Sequence, residues 1–87
     1  MLEYLVEFIG TFFFLSVIVL TGNPIAIGVT LAAMIAMSAK ISGGHFNPAV
    51  SFMMFFNNKI DLVKLFLYIL VQFAAAFLVY MFKKHID

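Results

Sequence analysis

The chain has 87 residues, of which 66% are hydrophobic and 10% charged, with a formal net charge of +1. An ordinary soluble domain is roughly 45–50% apolar and about 25% charged; a mean hydropathy of +1.17 therefore excludes a water-soluble monomer and makes lipid the solvent. The absence of cysteine removes disulfides, thiolate metal sites and thiol nucleophiles, and so small a net charge does not suit a nucleic-acid surface.

A helix that crosses a bilayer needs about 20 predominantly apolar residues. The first candidate is Leu2–Leu20, where only Gly10, Thr11 and Ser16 interrupt the run from Phe8 onward. A cleaved signal peptide fits this segment poorly: Glu3 and Glu7 stand where basic residues belong, and no small-x-small site follows before Pro24. The connection Thr21-Gly22-Asn23-Pro24 is so short that the first two helices must be antiparallel neighbours. Asn23 reads as a helix cap and Pro24 as the first helical residue. The second candidate span is Pro24–Ile41, uncharged from Ile25 to Ala39, and the third is Leu62–Phe82, uncharged from Leu65 onward, with Gln72 the one strongly polar side chain of that stretch. Gly28, Ala32, Ala36 and Ala39 form a small-residue ridge on the second helix, and Ala74, Ala75 and Ala76 supply small residues on the third; both favour close helix packing.

Residues 42–58, between the second and third spans, are of another kind. Ser42-Gly43-Gly44-His45-Phe46 is polar or permissive, and Pro48–Phe56 is mostly apolar but too short to cross a bilayer. At 1.5 Å per residue a helix there is about 15 Å long, half the hydrocarbon thickness. The pattern predicts a re-entrant segment: Gly43 and Gly44 carry extended backbone inward, and Asn47-Pro48-Ala49 starts a half-helix near the midplane. Non-helical backbone at that depth must be buried in protein or line a watery cavity. The half-helix would aim about half a positive charge into that cavity, Asn47 would add an amide donor, and the glycine stretch would offer carbonyl acceptors. Such a file suits a neutral, hydrogen-bonding permeant and repels cations, although broken helices also build transporter ion sites. Glu7 lies within the first span, where a carboxylate is costly unless it is paired. One reading buries it as an anchor for the loop, bonded to His45 or to loop N–H groups; the other leaves it snorkelling to the interface, as Glu3 does. His45 has no nearby histidine or cysteine to share a metal, since His85 lies in the tail. No nucleotide loop, nucleophile with its base or paired-carboxylate site is present, so neither an enzyme nor a cofactor is expected.

Two stretches together carry a family resemblance: Ser-Gly-Gly-His-Phe-Asn-Pro-Ala-Val at 42–50 and Glu-Phe-Ile-Gly-Thr-Phe-Phe at 7–13. The chain resembles the aquaporin/aquaglyceroporin (major intrinsic protein) family over nearly its whole length, and what it resembles is one repeat, the N-terminal half. The resemblance implies a single all-α unit over 1–87, with three transmembrane helices plus one re-entrant half-helix. It implies a multi-pass protein of the plasma or inner membrane, a passive channel for water or small polyols such as glycerol, and the family's tetramer. By the same resemblance Asn47 donates to the permeant, and the carbonyls of Gly43, Gly44 and His45 line the pore. Glu7 and His45 support the loop, and Phe14, Leu31 and Val50 line the channel wall. Ile27 falls in the outer filter. Water-selective members usually carry Phe or His there and glycerol-selective members often carry Trp, so Ile leans toward a wider, less water-specific opening.

The departures are the lack of a second Asn-Pro-Ala segment and of any arginine, the basic residues being Lys40, Lys59, Lys64, Lys83 and Lys84. One repeat does not close a pore. Either a second half-channel supplies the rest, as an inverted copy or another chain, or the chain is a truncated or regulatory fragment without a pore of its own. Lys40, Lys59 and Lys64 on the loop side against Lys83 and Lys84 opposite give only a weak orientation bias, compatible with dual topology. A pore rebuilt this way would lack the arginine and exclude protons less tightly. The rival of another class is a small coupled transporter with Glu7 as its titrating site.

Overall fold

The computed structural model describes all 87 residues, which form four helices and no strand: α1 (Leu2–Thr21), α2 (Pro24–Ser38), α3 (Pro48–Phe56) and α4 (Leu62–Ile86). The α1–α2 turn follows from its residues. Gly22 takes φ 59° and its N–H donates to the Ile18 carbonyl at 3.0 Å, a left-handed cap that glycine adopts at little cost. Asn23 is extended, and its Oδ1 accepts the Ala26 N–H at 2.9 Å, with Pro24 opening α2. Asp61 starts α4 in the same manner, accepting the Lys64 N–H at 2.8 Å.

Two boundaries differ from the sequence reading. Helix α2 ends at Ser38, not Ile41, although the sequence stays apolar. The Ser38 carbonyl accepts the N–H groups of both Ile41 and Ser42 at 2.9 Å, so the chain tightens into a turn that carries Ser42 to the Glu7 carboxylate, 2.7 Å away. With 15 residues, α2 rises only about 22 Å, whereas α1 and α4 are long and apolar enough to cross a membrane. Helix α4 runs past Phe82 to Ile86, because Lys83, Lys84 and His85 suit the negative end of a helix and nothing there breaks it.

The main seam lies between α1 and α4; α2 packs on α1, and α3 packs on α4. On α4 the buried residues are Leu65, Tyr68, Gln72, Ala75 and Val79, an alternation of three and four residues that puts one stripe of the helix against its neighbour. Ala75 is fully covered in this seam. The small-residue ridge of α2 has no such use within the chain: Gly28, Ala32, Ala36 and Ala39 are exposed, and a Cβ on Gly28 would meet nothing within 4 Å.

The interior is more polar than the surface. Among 15 buried residues, Glu7, Thr11, Ser16, Ser38, Ser42, His45, Ser51 and Gln72 are polar or charged, while Phe52, Phe66, Phe73 and Phe77 lie exposed. In water this inversion would be unfavourable. In lipid the apolar exterior costs nothing, and the enclosed polar groups depend on partners within protein; most have them, while the Thr11 and Ser16 hydroxyls and the Gln72 Oε1 have none within the chain.

Candidate functional site

The loop Ser42–Asn47 is built around one anion. Glu7 is wholly buried on α1. Its Oε2 accepts from the Ser42 hydroxyl at 2.7 Å and the His45 N–H at 3.0 Å. Its Oε1 accepts from the Phe46 N–H at 2.8 Å and the Gln72 side-chain amide at 3.1 Å. A buried carboxylate is costly unless its lone pairs are met, and here both oxygens are doubly satisfied, partly by charge-assisted bonds. Of the contacts the sequence left open, the structure has loop N–H groups on Glu7 rather than the His45 ring.

The expectation of extended backbone through Gly43 and Gly44 is corrected. Gly43 has φ 91°, Gly44 64° and Phe46 53°. The loop coils, because successive N–H groups can converge on one anion only when left-handed residues alternate into the path. Gly44 is required twice over: beyond its φ, a Cβ there would lie 3.2 Å from the Ile35 Cα.

The His45 ring turns toward α3 instead, with Nδ1 at 2.8 Å from the Ser51 hydroxyl and its face edge-on to Tyr68 at 5.1 Å. Gln72 donates to the same Ser51 oxygen at 3.0 Å. Tyr68 donates its hydroxyl to the Ser42 carbonyl at 2.7 Å. Ser42, Ser51, Tyr68 and Gln72 therefore complete a network joining α1, α3 and α4 that sequence reading did not assemble. Its one legible signal was Gln72, the lone strongly polar group in an apolar, uncharged stretch.

At the end of this loop Asn47 is exposed and extended, with φ −161°. Its Oδ1 accepts the Ala49 N–H at 2.8 Å, so the side-chain amide nitrogen keeps both protons free. Pro48 opens α3, Ala49 is exposed and Val50 half-buried. A cavity of about 270 Å³ beside Asn47 is bordered by Phe14, Thr11, Phe46 and Gln72. On the other side of the loop, Gly43 and His45 border a cavity of about 310 Å³ with Lys59, Lys64 and Tyr68. Ile27 and Leu31 are half-buried on α2, and with Val50 they border neither cavity.

These features define a class: apolar helices enclosing a re-entrant half-helix whose polar start is tied to a buried carboxylate. The chain belongs to the major intrinsic protein family, whose model matches residues 16–86; members of that family are integral membrane channels. It is 40% identical over 85 residues to glycerol uptake facilitator protein-like 6 of Lactiplantibacillus plantarum, an alignment covering 87% of this chain and 39% of that protein. It is 37% identical over 83 residues to aquaporin PIP1-1 of Arabidopsis thaliana, covering 76% of this chain and 29% of the relative. The figures are the same for aquaporin PIP1.1 of Vicia faba. The chain thus spans less than half the length of these relatives. No solved structure matches it significantly.

Proposed function

We propose that the chain is one repeat of a membrane channel that passes water or small neutral solutes such as glycerol, with a second half-channel, an inverted copy or another chain, facing Asn47. The carrying observation is the division of labour in the Asn47 amide: the oxygen is spent on the helix cap, and the nitrogen is left to donate to a permeant at the positive end of α3. The carbonyls of Gly43, Gly44 and His45 serve as acceptors on the approach. Phe14, Leu31 and Val50 form the apolar wall, and Ile27 sets a wide outer opening. A solute passing here exchanges hydrogen bonds with water for bonds to fixed groups, and no covalent step is involved. A coupled transporter is the weaker reading, because all the bonding capacity that Glu7 shows is committed to the loop and Gln72.

The test is stopped-flow swelling and shrinking of proteoliposomes under water and glycerol gradients. Wild-type vesicles are expected to equilibrate faster than empty ones. Asn47→Asp is expected to slow them about tenfold, a barrier rise of about 1.4 kcal/mol, because a carboxylate has no proton to donate. Wild-type vesicles no faster than empty ones, with no gain on mixing with a longer family member, would overturn the reading.

A further inference from the structure

We infer that Gly10 and Phe46 form a size-matched pair that sets the position of Asn47; the inference rests on the channel reading above and names the contact that aims its donor. Phe46 is almost wholly buried, 2% exposed, at φ 53°. Bulky residues avoid that conformation, so something must hold it. Two contacts from one face of α1 do so. Glu7 accepts the Phe46 N–H at 2.8 Å, and one turn on, Gly10 receives the ring. A Cβ on Gly10 would lie 2.1 Å from Phe46 Cε1 and 2.6 Å from Cζ, nearer than any carbon contact allows.

The ring has room to be displaced rather than compressed. It borders a cavity of about 290 Å³ between α1 and α2 and the cavity of about 270 Å³ beside Asn47. A side chain at position 10 would push it into one of these. Because its N–H stays tied to Glu7, the movement passes to the next residue, which is Asn47. A glycine inside an apolar helix is otherwise an unfavourable choice, and this seat for the ring accounts for it. Gly10 and Phe46 are positioning residues: neither has a side-chain polar group to offer a permeant, and both act through Asn47.

The experiment compares wild type, Gly10→Ala, Phe46→Leu and the double variant, using the full chain in lipid nanodiscs for NMR and in proteoliposomes for permeability. Leu lacks Cε1 and Cζ, and its remaining Cδ, which stands 2.7 Å from a Gly10 Cβ in the phenylalanine, can rotate aside about a single bond; each single change therefore leaves a mismatch, a clash or a gap, and the double change relieves it. The Asn47 side-chain amide resonances are expected to shift or broaden in both single variants and to return toward wild type in the double. Water permeability is expected to fall about tenfold in Gly10→Ala and to recover to within about twofold in the double variant. If the two substitutions act additively on the Asn47 amide, or if Gly10→Ala leaves it unmoved, the pair has no positioning role. Should Gly10→Ala fail to fold, Phe46→Leu against the double variant still decides the matter. If wild type passes no water, alone or mixed with a longer family member, the channel reading fails by itself, and the NMR comparison continues to judge the pair.

Discussion

Asn23-Pro24 and Asn47-Pro48 begin α2 and α3 with the same local chemistry. Each asparagine is extended, each Oδ1 accepts a backbone N–H at 2.9 or 2.8 Å, and each proline is the first helical residue. Each is preceded by a residue at positive φ, Gly22 at 59° and Phe46 at 53°. What differs lies outside the junction. The residues before Asn23 are exposed and bonded only to near neighbours. The residues before Asn47 are bonded to a carboxylate 38 and 39 positions away. Capping fixes where a helix starts along the chain; the distant carboxylate fixes where that start lies in space. A dipeptide that is ordinary in a turn becomes a site when its approach is tethered in the interior.

The largest effect should come from cutting the tether. Glu7→Gln keeps one acceptor oxygen and turns an NH₂ group toward donors, either the Ser42 and His45 pair or the Phe46 and Gln72 pair. An unpaired buried donor costs about 1–3 kcal/mol, so a loss of about 3 kcal/mol is expected at the second junction and none at the first. Amide hydrogen exchange reads this site by site. His45 and Phe46 should exchange about a hundredfold faster, the equivalent of about 2.8 kcal/mol, while Ala26 at the first junction keeps its rate. Equal acceleration at both junctions would mean that the carboxylate supports the whole bundle and not the loop, which would end the comparison.

Much of the fold was legible because lipid imposes a length rule that apolar runs display directly. The re-entrant segment followed from a run too short to span, and the α1–α2 turn from two residues with specific capping roles. The end of α2 was not legible. Ile35 through Ile41 contains no helix breaker, and the turn is imposed by the bond from Ser42 to Glu7, a partner 35 residues away. The coil of the loop was also hidden, since glycine accepts extended and left-handed backbone equally and nothing in the residue type of Phe46 signals a positive φ. Glu7 could be suspected from its burial cost. That Gln72, 65 residues on, would serve both Glu7 and Ser51 depends on the register of α4 against α1, which composition does not encode.

Two glycines offer a finer cut. Gly22→Ala and Gly44→Ala each force a side chain into left-handed backbone, at about 1–2 kcal/mol. At Gly22 that is the whole cost, because a Cβ would meet nothing within 4 Å. At Gly44 the Cβ would press on the Ile35 Cα at 3.2 Å and the Ser38 hydroxyl at 3.3 Å. Backbone cannot rotate aside, and such crowding adds about 1 kcal/mol or more. Denaturant titration in detergent should therefore rank Gly44→Ala about twice as costly as Gly22→Ala. The same loss at both would imply that the loop gives way as readily as the exposed turn, so that packing against α2 contributes nothing to its placement.

The smallest stability effect is the most discriminating. Asn23→Ala and Asn47→Ala each remove one capping acceptor, worth about 1 kcal/mol, and should be indistinguishable by unfolding. Serine separates the cap from the amide. A Ser hydroxyl caps about as well as Asn but lacks the two N–H donors that Asn47 holds free. Asn23→Ser should thus leave both stability and water permeability unchanged. Asn47→Ser should leave stability within about 0.5 kcal/mol and still lower permeability severalfold. The two junctions would then share their capping chemistry and differ, apart from the tether, in what the amide nitrogen serves. If Asn47→Ser passes water as wild type does, the cap alone is what Asn47 supplies, and the second junction is a helix start like the first, only deeper.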